Sequence, residues 1–138
     1  MNNYRDETRG TVQVNEYMRQ IVLFDGMKYK GRNSYNDVTP TDIDGFIQLD
    51  EGNIFVFFEL KYDGDLPTGQ RIAYERLIDF IISGGGKAIL FVASHHTKRD
   101  TINAKTAIVT KAYDGEWHLM KGNYTLGSLI TWFIERNK

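Results

Sequence analysis

The first apolar pattern in the chain has the period of a helix. Five apolar side chains follow one another at i, i+3, i+4, i+7 and i+8: Val14, Tyr17, Met18, Ile21 and Val22. This spacing puts them on one stripe, which predicts an amphipathic helix over about 12–24. Apolar and charged residues then alternate over Met27–Gly31, which favours a short strand.

The next pattern is a hairpin whose two faces are both apolar. Its strands run over about 43–49 and 54–61, and they are dense in Ile, Val and Phe. One face carries Ile43, Ile47, Leu49, Ile54, Val56, Phe58 and Leu60, and the other carries Phe46, Phe55 and Phe57. Strands that are apolar on both faces belong to the middle of a sheet, so we expect helices to pack on each side.

Helical and strand patterns alternate over the rest of the chain. Apolar side chains with helical spacing predict a helix over about 68–82, with Thr68 as its N-cap and three glycines after its end. A buried strand over about 87–94 follows, and a hairpin with strands at about 106–113 and 117–120 comes next.

A last helix begins after Thr125, which is a suitable N-cap. The order of elements predicts an α/β fold with an αβββαβ core over about 12–95 and a C-terminal ββα extension over about 100–138. We expect a mixed central sheet flanked by helices, in a single domain that covers residues 1–138.

Composition narrows the classes of protein that fit these elements. The chain has 138 residues, no cysteine and a formal net charge of −1, which excludes disulfide frameworks, thiolate zinc sites and cysteine nucleophiles. Its first ten residues are polar and its apolar runs are too short to span a bilayer, so we expect a cytoplasmic protein with no membrane partner. The net charge is not that of a protein that coats nucleic acid, but an acidic metal site with local cations is compatible with it.

Charged side chains interrupt one apolar face at the open end of the first hairpin. If the turn closes without a bulge, Asp44 lies opposite Glu59 and Asp42 lies opposite Lys61. Directly opposed side chains have Cβ atoms about 4.5–5.5 Å apart, so two carboxylates and an ammonium group converge. A bulge would shift the register by one residue and separate them.

Such a group of side chains has the chemistry of a magnesium site. Two ionised carboxylates about 5 Å apart repel by roughly 3 kcal/mol at an effective dielectric constant near 20, and a hard cation removes that repulsion. Asp44, Glu59 and the Leu60 carbonyl are the predicted Mg²⁺ ligands, with Mn²⁺ able to substitute. Lys61 would orient a water for attack on a phosphodiester and counter the charge that develops on the phosphoryl oxygens. In the alternative, Lys61 forms an ion pair with Glu59 or Asp42 and no chemistry takes place.

A family resemblance is carried by one segment of the chain, TDIDGFIQLDEGNIFVFFELKYDGDLPTGQRIAYERL. It resembles the PD-(D/E)XK nuclease superfamily, which includes restriction enzymes, archaeal-type Holliday junction resolvases and many phage nucleases. That family presents an Asp at the start of its second strand and E-x-K on its third, which match Asp44, Glu59 and Lys61. The chain departs from the first motif because it has no Pro-Asp pair, and Asp42 competes with Asp44 for that role. The position opposite Glu59 favours Asp44.

The resemblance, which spans about Val12–His95, implies a restriction-endonuclease-like fold and a function. The implied function is that of a metal-dependent DNA endonuclease, an enzyme that hydrolyses phosphodiester bonds, of the junction-resolvase or phage type. A chain of 15.9 kDa has no room for a separate recognition domain, which favours structure-selective cleavage. We expect DNA as the partner and a homodimer, because cutting two strands takes two sites. No nucleotide or organic cofactor is expected.

The resemblance also suggests supporting residues. Gln70 would touch metal-bound water or a phosphate, Tyr74 lies one turn later on the same helix, and Arg71 would contact the nucleic-acid backbone. Glu16 would be an additional acidic ligand. The alternatives are a solvent-facing Gln70 and an ordinary surface Glu16.

Two further groups of cations suit nucleic acid. Lys28, Lys30 and Arg32 alternate and would follow phosphates along one side of a strand, or protect a solvated edge. Lys98 and Arg99 would line a DNA-facing loop. Two other functions stay open: a catalytically inactive nucleic-acid-binding or protein-binding module on the same fold, and an unrelated α/β protein.

Overall fold

The computed structural model describes residues 24–30, 32, 37–96 and 101–138. The chain divides into two compact units, Met1–Pro40 and Thr41–Lys138, and the expected single domain stays a prediction. In the first unit, Tyr29 and Val38 form an isolated bridge in which each backbone N–H donates to the other carbonyl. The strand predicted over 27–31 is described only as this bridge, and residue 31 lies outside the described residues. The helix predicted over 12–24 lies outside them as well, except for its last residue.

A five-stranded mixed sheet is the centre of the second unit. Its strands lie side by side in chain order: β1 (Gly45–Leu49), β2 (Ile54–Tyr62), β3 (Lys87–His95), β4 (Ile108–Tyr113) and β5 (Trp117–Leu119). β2 and β3 are parallel, whereas the other neighbouring pairs are antiparallel. The predicted α/β class with a mixed sheet is therefore confirmed.

Two helices cover the two faces of this sheet. α1 (Thr68–Ser83) buries Tyr74 and Ile78 on the face that carries Phe57 and Leu90. α2 (Leu126–Asn137) belongs to the core on the other face, which includes Val56, Ile89, Phe91, Leu126, Leu129 and Phe133. The expectation of helices on both sides of the hairpin is thus confirmed. Among the described residues, no helix is long and apolar enough to cross a bilayer.

The start of α1 differs from the prediction. Pro67 occupies the N-cap position, no side chain caps the helix, and Thr68 is its first helical residue. Pro67 has no N–H to satisfy and its φ of −58° is fixed by its ring. Its carbonyl accepts the N–H of Arg71 at 2.9 Å, which closes the first turn without a capping hydroxyl.

The C-terminal extension matches the predicted order with one change of element. A short 3₁₀ helix, Ala104–Thr106, replaces the start of the predicted strand, so β4 begins at Ile108. The register between β3 and β4 shifts between Val92 and Ala93, which leaves Thr110 of β4 unpaired in the ladder. The predicted cap of the last helix is confirmed, since the Thr125 hydroxyl accepts the N–H of Ser128.

The register of the first hairpin is the one that the sequence predicts. Pairs run from Gly45 opposite Phe58 to Leu49 opposite Ile54, without a bulge. However, β1 begins two residues later than predicted, because the Asp44 N–H bonds to a side chain of β2 rather than to a strand carbonyl. The predicted face of Ile43 is therefore wrong. Ile43 precedes β1, so the alternation of the strand does not apply to it, and its side chain lines a small recess beside α1.

Gly45 allows β1 and β2 to approach closely beside the charged end of the hairpin. A Cβ atom at this position would lie 1.9 Å from Cζ of the Phe58 ring, and other ring atoms would be at 2.3 and 2.5 Å. The ring of Phe58 therefore occupies the space of the missing side chain. Asp44 and Glu59 are the next residues along the two strands, so their meeting depends on this approach.

We expect Gly45→Ala to lower the free energy of unfolding by about 1–3 kcal/mol, the usual cost of overpacking. Urea denaturation would measure it. Gly69→Ala is the matched control, because no atom lies within 4 Å of its added Cβ and the site is inside α1. That control should be neutral or stabilising by up to about 1 kcal/mol. Equal losses in the two variants would contradict the role of close approach at Gly45.

Candidate functional site

Among the described residues, Glu59 is the one charged residue that is buried, with 1% of its surface exposed. It follows Phe57 by two positions on β2, so strand alternation turns it toward α1. An ionised carboxylate out of water is costly unless it is paired and hydrogen-bonded. The partners of Glu59 therefore determine whether this arrangement is stable.

Four donors surround the Glu59 carboxylate. Its Oε2 accepts the backbone N–H of Asp44 at 2.7 Å and the hydroxyl of Tyr74 at 2.8 Å. Its Oε1 accepts the Gln70 amide at 2.5 Å and lies 3.6 Å from Nζ of Lys61. A carboxylate offers about four lone-pair positions; three have a hydrogen-bond donor from the protein, and Lys61 is an ion-pair partner beyond hydrogen-bond distance.

Asp44 and β2 are joined by two reciprocal hydrogen bonds. The Asp44 N–H donates to Glu59, and the N–H of Leu60 donates to Oδ2 of Asp44 at 2.8 Å. Side chains thus continue the hydrogen bonding of the strands beyond the last ladder pair. Each carboxylate has a backbone donor from the opposite strand, so the repulsion that the sequence predicts is offset in part without a cation.

Gln70 links Glu59 to Lys61. Its Oε1 accepts from Nζ of Lys61 at 2.9 Å, and its Nε2 donates to Glu59 and also to the carbonyl of Asp42 at 3.3 Å. With one donor on the oxygen side and two acceptors on the nitrogen side, the orientation of the amide is determined by its partners. Gln70 therefore faces the charged cluster and not solvent alone. Its predicted contact with metal-bound water or a phosphate stays a prediction.

Tyr74 is held in its neutral, donating form. Its pKa is raised above the ordinary value of 10.0, first by burial and then by the hydrogen bond to Glu59. The negative charges of Glu59, Asp44 and Asp42 raise it further. Three carboxylates therefore act on one hydroxyl, which shows that negative potential converges at this end of the hairpin.

The remaining candidates are less closely connected to the cluster. Asp42 reaches it through its backbone carbonyl, and its side chain is exposed with that of Asp44. Arg71 pairs with Glu75 at 2.9 Å, and Glu75 also accepts the indole N–H of Trp117 at 2.6 Å. Glu75 thereby ties α1 to β5. Arg71 has a structural partner that was not predicted, although its i, i+4 spacing from Glu75 is visible in the sequence.

The other predicted residues lie in the first unit or outside the described residues. Lys28, Lys30 and Arg32 are exposed in the first unit, which is described by itself. Glu16, Lys98 and Arg99 lie outside the described residues. Their predicted roles stay predictions.

A second polar group beside the cluster was not predicted. Asp65, in the loop between β2 and α1, lies 2.5 Å from Nζ of Lys111 on β4. The hydrogen bond from Lys111 holds the pKa of Asp65 below its usual value, and Lys111 also lies over the Trp117 ring at 5.2 Å from its centroid. The pair depends on how β4 is aligned with β3, where the register shifts, and this shift has no signal in the sequence.

The oxygen donors of the cluster suit a hard cation. Oδ2 of Asp44 holds Leu60, and no donor to Oδ1 is found among the described residues. Carboxylate oxygens are ligands that Mg²⁺ prefers, so the chemistry of Asp44 and Glu59 fits the predicted ion, provided that Glu59 releases a donor. Within the described residues, no group of three His, Cys, Asp or Glu side chains is arranged to hold a metal. The predicted set of Mg²⁺ ligands is not such a group, because it consists of two carboxylates and one backbone carbonyl.

Comparison of the chain with protein-family models, with curated proteins and with solved structures found no match in any of the three. The resemblance to PD-(D/E)XK nucleases therefore stays a prediction. Functional conclusions rest on the geometry of these side chains.

We expect Tyr74→Phe to lower the free energy of unfolding by about 1–3 kcal/mol at neutral pH, because Glu59 loses a donor that water cannot replace. Tyr113→Phe is the matched control. It removes a hydroxyl that donates to Asp79 at 2.8 Å, but Asp79 is exposed and can bond to water. Chemical denaturation of both variants would compare them. An equal or larger loss in Tyr113→Phe would contradict the special position of Glu59.

The raised pKa values also predict how stability changes at alkaline pH. Folding raises the pKa of Tyr113 to about 12 and that of Tyr74 above 10.0. In the unfolded chain these tyrosines have a pKa near 10, so above that pH the unfolded chain releases protons that the folded protein keeps. The protonated tyrosines therefore contribute their full stability below about pH 10, and this contribution is lost as pH rises. Unfolding free energies measured from about pH 8 upward should fall, and Tyr74→Phe should make the decline shallower. An unchanged slope in that variant would contradict the prediction.

Proposed function

We propose that this chain is a Mg²⁺-dependent DNA endonuclease with a restriction-endonuclease-like fold of the PD-(D/E)XK type. One observation carries the proposal. Asp44, Glu59 and Lys61 meet on one face of the hairpin in the register that this chemistry needs, and Gln70 from α1 joins two of them.

The proposed roles follow from the chemistry of the side chains. Asp44 and Glu59, with the carbonyl of Leu60, would hold Mg²⁺, or Mn²⁺ in its place. The bound ion would supply a Lewis acid for the phosphodiester. Lys61 would orient the attacking water and counter negative charge on the phosphoryl oxygens. Gln70 and Tyr74 would position Lys61 and Glu59 through the hydrogen bonds at 2.9 and 2.8 Å.

The order of elements from β1 to β3 supports the proposed fold. β2 carries both Glu59 and Lys61, α1 follows it, and β3 returns parallel to β2. This is the ββαβ part of the αβββαβ order. We further propose a homodimer, because one copy has one such cluster in the described residues and a duplex has two strands. Structure-selective cleavage and a cytoplasmic location stay predictions.

A second candidate function is favoured by a different observation. Glu59 has three hydrogen bonds from protein donors and an ion pair with Lys61, as it would have in a structural polar cluster. In this alternative the chain keeps the fold as a nucleic-acid-binding or protein-binding module and has no catalytic activity. The two candidates differ in whether a divalent cation reaches Glu59.

Cleavage assays would separate these candidates. The purified chain would be incubated with plasmid, linear, single-stranded and four-way-junction DNA, in Mg²⁺, Mn²⁺ or EDTA. We expect cutting that requires the cation and falls at least about a hundredfold in Glu59→Gln and Lys61→Ala. Glu51→Gln is the matched control, because it makes the same change in the exposed turn of the same hairpin.

Two outcomes would contradict the nuclease. Cutting that persists in Glu59→Gln would indicate a contaminating enzyme. The absence of cation-dependent cutting on every substrate, with a folded protein that still binds DNA, would favour the non-catalytic module.

A further inference from the structure

The Glu59 carboxylate is enclosed by protein groups in the described arrangement. Three groups hydrogen-bond to it, namely the Asp44 N–H, the Tyr74 hydroxyl and the Gln70 amide, and the Lys61 ammonium group lies 3.6 Å from Oε1 as an ion-pair partner. Because Glu59 is 1% exposed, a ligand that binds this carboxylate must move at least one of these groups. Which donor leaves determines what else changes at the site.

The two donors at Oε2 are poorly suited to leave. The Asp44 N–H belongs to the backbone where β1 begins, and its carboxylate is in turn held by Leu60. Tyr74 is 2% exposed and packs edge-on against the Phe57 ring, with centroids 6.0 Å apart. Displacing Tyr74 would leave a buried hydroxyl without a partner, which is more costly than losing an exposed hydrogen bond. Displacing the Asp44 N–H would move the backbone at the start of β1.

The donors at Oε1 are the ends of longer side chains. Lys61 keeps 24% of its side chain exposed and lies at 3.6 Å, beyond hydrogen-bond distance. Gln70 makes the short contact to Oε1, but its Nε2 has a second acceptor in the Asp42 carbonyl at 3.3 Å. Gln70 can therefore release Glu59 and still have a partner for its amide.

We propose that Gln70 is a latch that holds Glu59 and Lys61 together in the cation-free chain and withdraws from Glu59 when a divalent cation binds there. The inference rests on the proposed function, because it assumes that the cation reaches Glu59. Gln70 also accepts from Lys61 at 2.9 Å, so its withdrawal changes the position of Lys61. Cation binding and the orientation of Lys61 are thus coupled through one amide, and the coupling acts in both directions.

The latch can be observed directly in the wild-type chain. The side-chain amide signals of Gln70 would be assigned by their absence from the nuclear magnetic resonance spectrum of Gln70→Ala, and Mg²⁺ would be titrated into the full-length protein. We expect the Gln70 amide protons to shift as they leave the carboxylate. The Gln48 amide is the internal control, since it bonds to Asp50 in the exposed turn and should not move. A Gln70 signal that stays in place at saturating Mg²⁺ overturns the latch.

Binding gives a second measure that does not depend on catalysis. Calorimetric titration with Mn²⁺ would compare the wild type, Gln70→Ala and the control Gln48→Ala. In Gln70→Ala the cation no longer competes with the Gln70 amide for the Glu59 carboxylate. We therefore expect this variant to bind Mn²⁺ about tenfold more tightly. Gln48→Ala should bind as the wild type does. Equal or weaker binding by Gln70→Ala overturns the latch.

Failure of the latch and failure of the nuclease give different results. Wild-type binding that Glu59→Gln abolishes, together with an unmoved Gln70 signal, overturns the latch and leaves the proposed function standing. Mn²⁺ binding that Glu59→Gln does not change overturns the proposed site, and the latch with it. The same conclusion follows if neither the wild type nor Gln70→Ala binds the ion.

Discussion

The burial of one carboxylate is the constraint on which the rest of the site depends. Glu59 is almost fully removed from water, and a charge in that position is tolerated only when its partners are close and well oriented. Those partners come from β1, from β2 and from two successive turns of α1. The hairpin register, the start of α1 and the packing of its inner face must therefore all be compatible with one side chain. A change in any of them leaves Glu59 or one of its donors unpaired.

The loop between β2 and α1 is held by the same kind of interaction. It carries Asp63 and Asp65 between Lys61 and the start of the helix. The Asp63 N–H donates to the carbonyl of His95 at 3.2 Å, and Asp65 pairs with Lys111. These contacts tie the loop to β3 and β4, so the turn of α1 that carries Gln70 has a defined position relative to Lys61. The arrangement is suited to a site whose side chains must stay within hydrogen-bond distance.

The donors that stabilise Glu59 also limit what it can bind. With three hydrogen bonds and an ion pair, the carboxylate is stable without a ligand, whereas a metal ligand needs an accessible lone pair. Both properties are compatible only if one donor can move to another partner at little cost. Among the four donors, Gln70 has such a partner in the Asp42 carbonyl. Whether the cluster is structural or catalytic therefore depends on whether the Gln70 side-chain amide can move away from Glu59.

The sequence by itself determined the α/β class and the two-faced hairpin, because apolar residues occupy both faces of its strands. It predicted the register on the condition that the four-residue turn has no bulge, and the structure has that register. That register is enough to bring Asp44 opposite Glu59. Only the tertiary structure decided which donors reach the carboxylate, because Gln70 and Tyr74 arrive from a helix whose packing is not encoded in any local pattern. The same holds for the delayed start of β1 and the uncapped start of α1, where Glu59 takes the Asp44 N–H and Pro67 takes the cap position. Local periodicity specifies which face a residue occupies, and long-range packing specifies what it meets there.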